Sequence, residues 1–438
     1  MNEARRLPGE TLRLEPDKLY SLAELIDLAE AHNPATRVAW ESARAQAGAL
    51  GIARSELFPT LSAAALAGVT RDEAGLGEQF YRQTLPSLEL SLDLNYTIFD
   101  FGARRGRINA ESARLLASNF NFNDVHRQLI YDLAQAYYRL LNAAGQEEAA
   151  GASLVNAQNV QQAAEERLRN GLATLPDVLE ARSATAQAQY DLQAVLGAED
   201  IARGDLTTTL GASATTRIRV RPLSEVQMPE SVVDTVEEAI NRALAQRPDL
   251  QAQVAEVRQA KAEHQQARAD FYPTLSVSAT ASGQSLYIQQ QTLPWGHTAA
   301  LTGGVALSLS WKAFDGGARR NRLAQAEARN RETEARVAAT HDQIEDQVWT
   351  SYTNLITAFG QRQAATALLN AATQSYSAAL ESYNYGVRNL LDVTNAQKVL
   401  AQARSTDILA RTQVLAALAD LAFRTGDAIQ ANTRNAHP

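Results

Sequence analysis

The chain states one architecture twice. Phe99-Asp100-Phe101-Gly102-Ala103-Arg104-Arg105 returns as Phe314-Asp315-Gly316-Gly317-Ala318-Arg319-Arg320, an offset of 314 − 99 = 215 residues. At that offset Tyr137 maps to Tyr352, Gly171 to Gly386, Asp177 to Asp392, Val178 to Val393, Gln187 to Gln402 and Gly211 to Gly426. Upstream, Pro59-Thr60-Leu61 maps to Pro273-Thr274-Leu275 at 273 − 59 = 214, so one residue is gained between the anchors. A period this long is no solenoid unit; it has the size of a domain. The expected division is a tail over 1–18, a first repeat over 19–211, a linker over 212–234, a second repeat over 235–426 and a tail over 427–438.

Within each copy the hydrophobic period changes. Ala35 to Phe58 reads as helix and is stopped by Pro59, which restricts its predecessor to extended geometry. Leu88, Leu90, Leu92, Leu94 and Tyr96 then alternate with Glu89, Ser91, Asp93 and Asn95, the pattern of a strand with one apolar and one polar face. A weaker strand, Thr60 to Thr70, precedes it across a polar, Gly-containing stretch, Arg71 to Thr84, that reads as a loop. In the second copy Thr274 to Ala281 is one strand, and Leu301, Val305, Leu307, Leu309 and Trp311 mark the other. Ser282 to His297 is the loop between them. The expected β-hairpins thus span 60–99 and 274–314.

A long helical hairpin follows each, over 103–210 and 318–425. Val125, Leu129, Leu133, Tyr137 and Leu140 recur at helical spacing, as do Ile344, Val348, Tyr352, Leu355 and Phe359. About 65 uninterrupted residues at ~1.5 Å each would reach ~100 Å. Asn170-Gly171 and Tyr385-Gly386 mark the turns, and Gly211 and Gly426 stop the return helices. Asp100 and Asp315 sit where a carboxylate caps the long helices, with Gly102 and Gly316-Gly317 allowing a tight turn. Short helices at about Ser21–His32 and Val233–Arg247 open the two copies.

Composition removes several function classes. A net charge of −8, with both signs mixed along the helices, argues against nucleic acid as a partner. Zero Cys excludes disulfides, Cys-based zinc sites and thiol nucleophiles. The six His residues lack metal-ligand spacing, and no P-loop, dinucleotide fingerprint or G-x-S-x-G is present. No catalytic residue, cofactor or metal is therefore expected, and any energy must come from a partner. No apolar run is long enough for a transmembrane helix. The start, Met1 to Leu7, has no apolar h-region, so either the chain is not exported or a signal peptide has been removed or missed.

The amphipathic strands have the length that a tilted outer-membrane strand needs. Four strands cannot close a barrel, and open edges are not viable in lipid, so a barrel must be assembled from several chains. Helical hairpins with narrow apolar seams likewise need neighbours. The expectation is a symmetric oligomer, with a shared barrel at one end of a helical tube.

Phe58-Pro59-Thr60 with Tyr272-Pro273-Thr274, the doubled FD-GARR, and the run Tyr385 to Val393 together resemble the outer-membrane efflux family of TolC-like channels, over about Leu19 to Gly426. The resemblance implies a mainly α chain with a small β part, four strands of which enter a trimeric, 12-stranded outer-membrane barrel. It implies an exit duct of a tripartite efflux or type I secretion system, with a periplasmic adaptor protein and an inner-membrane transporter as partners. It places a periplasmic gate at Tyr383, Arg388, Asp392 and Asn395, with Asp177 and Glu180 on the facing helix. Asn395 replaces an acid found there in the best-known member, which leaves Asp392 as the single carboxylate ring expected to select cations. Gly171, Leu172, Gly386 and Val387 are the expected adaptor-contact tips.

Plainer readings accompany these. Gly171 and Gly386 suit left-handed turns in any fold, Asp177 and Asp392 suit helix N-termini, and Arg388 suits any exposed surface. At the strand-to-helix junctions, Asp100, Gly102 and Arg104 with Asp315, Gly317 and Arg319, the arginines suit either a structural pair or lipid headgroups. The alternative to a channel is a soluble coiled-coil scaffold, which has no use for two membrane-length amphipathic hairpins.

Overall fold

The computed structural model describes residues 15, 18–76, 79–229, 235–290 and 294–427. In chain order the elements are β1 (Leu19–Tyr20), α1 (Leu22–His32), α2 (Pro34–Ser55), β2 (Thr60–Leu76), β3 (Gln79–Phe99), α3 (Ala103–Arg169) and α4 (Leu175–Thr209). They are followed by β4 (Arg219–Val220), α5 (Val236–Gln246), α6 (Pro248–Ala269), β5 (Thr274–Gln290), β6 (Gly296–Ser310), α7 (Ala318–Asn384) and α8 (Leu390–Thr425). Residues fall into two compact units. One draws on Met1–Glu41, Phe120–Gln251 and Ala338–Pro438 and is mainly helical among the described residues; the other, Ser42–Asn119 and Ala252–Val337, holds the large sheet.

Helix boundaries follow local chemistry. Ser21 and Glu24 form a reciprocal capping box at α1, and Thr235 and Glu238 repeat it at α5. The Asn33 side chain accepts from the Ala35 N–H at 2.7 Å, so α2 begins at Pro34, whose missing N–H costs nothing there. In α7 the buried positions Ile344, Val348, Ser351, Leu355, Ala358, Ala365, Ala372 and Ala379 step by three, four or seven. That is the seam spacing of a coiled coil, and its alanines let helices approach closely.

The sheet unit carries four antiparallel strands in the order β2-β3-β5-β6. Register aligns whole rows by polarity. Leu61, Leu94, Ala279 and Val305 lie side by side, as do Ser62, Asp93, Thr280 and Gly304 one residue away. A one-residue step exchanges faces, so one side of the sheet is apolar and the other polar. The apolar side is solvent-exposed in the single chain at Leu61, Leu90, Leu92, Val305, Leu307 and Leu309. No strand pairs with the outer edge of β2 or of β6 among the described residues.

Two expected loops are largely strand. β2 continues to Leu76 and β3 starts at Gln79, while β5 continues to Gln290 and β6 starts at Gly296. The intervening residues 77–78 and 291–293 lie outside the described ones. Alternating hydrophobicity reports only the strand length that needs an apolar face; beyond it polar residues pair just as well. Arg71 pairs with Thr84 and Asp72 with Gln83, and Arg82 meets Glu73 at 3.6 Å across the ladder. The Tyr287 and His297 rings meet at 4.5 Å, tilted by 39°, in the second hairpin. The expected linker is partly ordered as well, because β4 adds in parallel to β1 and pairs Leu19 with Arg219. Residues 230–234 of that linker lie outside the described ones.

Candidate functional site

The two FD-GARR junctions are built alike. The Asp100 carboxylate accepts from the Gly102 N–H at 3.2 Å, the Arg104 N–H at 2.9 Å and Arg104 Nε at 2.9 Å. Asp315 does the same with Gly317, Arg319 N–H and Arg319 Nε at 3.2, 3.1 and 2.9 Å. Phe101 at φ 51° and Gly102 at φ 96° turn the chain from strand to helix, and two glycines do so in the second copy. Arg104 also donates to the Glu56 carbonyl at 3.0 Å, fastening the end of α2 to the start of α3. Burial works against ionising Asp100, yet the Arg104 and Gly102 donors outweigh it and hold the carboxyl below its ordinary value. The first arginine of each pair is thus hydrogen-bonded within the chain.

At the far ends of the long helices, α3–α4 and α7–α8 turn through matching glycine caps. Leu172 N–H reaches the Arg167 carbonyl at 2.8 Å, and Val387 N–H reaches that of Ser382 at 2.9 Å. Gly386, at φ 78°, supplies the left-handed residue. Leu172 and Val387 are exposed beside their turns. Below them Val160, Ala164, Val178, Ala181, Tyr376, Ala379, Tyr383, Leu390 and Val393 form one core that ties the tips of α3, α4, α7 and α8.

The carboxylates at the tips have different employment. Asp177 accepts from the Thr174 hydroxyl at 2.7 Å and N–H at 2.8 Å, closing a capping box; these bonds keep it below the usual carboxylate range. In Asp392 only the backbone N–H is used, by Asn389 Oδ1 at 2.9 Å; its carboxylate has no partner among the described residues. Glu180 accepts from Thr394 Oγ1 at 3.3 Å and links α4 to α8. Arg388 and Asn395 are exposed, and Arg388 has no side-chain partner among the described residues. Tyr383 is 4 % exposed, and its hydroxyl is buried without a partner. Burial raises its pKa, against the opposing charge of Arg167.

Outer membrane efflux protein is the family whose model matches residues 25–212 and again 239–427. The chain belongs to this family. The double match is the internal duplication read from the sequence, and membership places the chain in the outer membrane of a Gram-negative bacterium. Protein CyaE of Bordetella pertussis is 28% identical over 410 residues, 92% of this chain and 84% of that protein. Outer membrane protein OprJ of Pseudomonas aeruginosa is 26% identical over 408 residues, 91% and 82% of the two chains. The solved outer-membrane channel OprN shares the fold at a TM-score of 0.81 and 21% identity, covering 95% of each chain. Among the described residues no helix of this efflux protein is long and apolar enough to cross a membrane.

Arg167 escaped the sequence reading. It donates to the Tyr383 carbonyl at 2.7 Å and lies 4.6 Å from the Tyr383 ring centre, so α3 caps the C-terminal end of α7. A basic residue in the last turn of α3 was the available signal. The duplication concealed it, since Ser382 stands at the matching position of the second copy, 167 + 215 = 382.

Proposed function

We propose that three copies of this chain close their sheets edge to edge into a 12-stranded barrel, and that the assembly is a passive exit duct of an efflux or secretion system. The carrying observation is the four-stranded sheet with an apolar face, a polar face and two edges unpaired among the described residues. In hydrocarbon every backbone donor and acceptor needs a partner, so β2 of one copy must meet β6 of the next. The polar rows then line water. A soluble scaffold would leave this apolar face uncovered.

At the α7–α8 turn the Arg388 guanidinium and the Asp392 carboxylate have no side-chain partner among the described residues, whereas the unpaired Tyr383 hydroxyl is buried within its own chain. Pairing of Arg388 and Asp392 across chains is the gate of this reading, with Tyr383 packed behind them and three Asp392 carboxylates around the axis favouring cations. The exposed tips at Gly171–Leu172 and Gly386–Val387 are the surface for a periplasmic adaptor, which couples the duct to an inner-membrane transporter. Counting chains in the detergent-extracted complex by native mass spectrometry tests the assembly. Three is expected; a single chain, or a protein that fractionates as soluble, rejects it.

A further inference from the structure

The second arginine of each FD-GARR motif is left over. Arg105 and Arg320 are exposed and have no ion pair or side-chain hydrogen bond among the described residues, in contrast to Arg104 and Arg319 beside them. Lys312, just after β6, is equally exposed and unpaired. The charges are also placed against the helices' own preference. Neither α3 nor α7 has an acidic residue in its first turn, and cations at a helix N-terminus are repelled by its dipole. Asp100 and Asp315 offset one arginine each, so Arg105 at the first junction, and Arg320 and Lys312 at the second, lack an anion among the described residues.

These cations border a band of aromatic side chains at the end of the apolar sheet face. Tyr96 and Trp311 continue the apolar rows of β3 and β6 at matching positions, 311 − 96 = 215. Trp311 is 61% and Phe314 89% exposed. Phe101 stacks on Tyr272 at 4.9 Å and touches Phe99 at 4.7 Å. Trp311 Nε1 donates to the Phe271 carbonyl at 3.2 Å, which leaves its ring facing outward with the polar atom satisfied. Aromatic girdles of this kind sit where acyl chains give way to headgroups.

We infer that this end of the sheet is a docking surface for anionic phospholipids, whose phosphates are met by Arg105, Lys312 and Arg320 while their acyl chains cover Trp311 and Phe314. The inference rests on the reading that the sheet lies in a bilayer. Charge complementarity selects the occupant: exposed aromatic residues with unpaired cations beside them in the chain match an anionic lipid better than a soluble anion.

The test uses the whole chain with Trp40, Trp295 and Trp349 changed to Phe, so that Trp311 alone reports. The variant is reconstituted in bilayers of brominated phosphatidylglycerol or brominated phosphatidylcholine, and the two quenching efficiencies give a relative affinity. A juxtamembrane cation contributes roughly fivefold in favour of an anionic lipid. Phosphatidylglycerol should therefore win by at least about fivefold, and Lys312→Gln should lower that ratio about fivefold. Arg105→Gln/Lys312→Gln/Arg320→Gln should bring it near one, as should high salt on the unsubstituted cations. A ratio near one from the outset, or one that the triple variant leaves unchanged, overturns the inference. So does an equal loss in Arg44→Gln/Arg329→Gln/Arg331→Gln, which removes exposed cations farther along α2 and α7. If neither lipid quenches Trp311, the bilayer reading itself fails.

Discussion

Removing the Asp100 carboxylate should loosen the strand-to-helix junction by a definite amount. Asp100→Ala deletes three contacts, to Gly102 N–H, Arg104 N–H and Arg104 Nε. Loss of a helix cap costs about 1 kcal/mol. The charge-assisted bond to Arg104 adds about 1 kcal/mol. Arg104 is not stranded, because the Glu56 carbonyl at 3.0 Å and the Ile98 carbonyl at 3.4 Å still accept from it. The total is about 2 kcal/mol, or roughly thirtyfold faster exchange of amides that open locally at the start of α3. Hydrogen exchange with mass-spectrometric readout over 100–106 measures this directly. The pH dependence follows from the lowered pKa. A carboxylate held below its ordinary 3.8 contributes fully above that value and loses its contribution as pH falls through the lower folded value. The gap between wild type and variant should thus be constant above about pH 5 and close only under strong acid. A change under threefold at neutral pH, in folded protein, would refute the assignment of Asp100 as the cap.

Three further outcomes follow from packing. Arg167→Gln should speed amide exchange over 382–388 by about tenfold, through loss of the Tyr383 carbonyl bond and the ring contact, while exchange elsewhere on α7 is unchanged. Gly106→Ala would place a Cβ 2.9 Å from the backbone nitrogen of Gln266, so α3 and α6 must separate. A loss of about 1–3 kcal/mol, read as a lower unfolding temperature, is expected, and an unchanged one contradicts the packing. Gly386→Ala, at φ 78°, should cost about 1 kcal/mol locally and increase proteolytic cleavage at the α7–α8 turn without altering the sheet.

The fold was legible wherever burial and period coincide. Leu88 to Tyr96 could only be a half-buried strand, and the doubled FD-GARR with Gly171 and Gly386 located every long helix to within a few residues. What escaped has a common cause, since polar residues that pair with polar residues leave no hydrophobic period. Arg71 to Glu73 and Ser282 to Gln290 read as loop and are strand, and Arg219–Val220 read as linker and pairs with Leu19–Tyr20. The tips were legible as turns, through glycine, but not as a contact network. Arg167 touches Tyr383 across 216 positions of sequence, and its counterpart Ser382 carries no trace of the role. Nor did sequence separate Arg104 from Arg105; only the geometry around Asp100 divides the spent arginine from the free one.

A water-filled duct with its constriction at the helical tips should carry ions. Single-channel current of the purified protein in a planar bilayer, beside Arg388→Ser and Asp392→Ala, addresses it most directly. Wild type should show a small, cation-preferring conductance that rises several-fold in Arg388→Ser, with cation preference weakened in Asp392→Ala. Folded, inserted oligomers whose wild-type and variant currents coincide in size and selectivity would contradict this expectation.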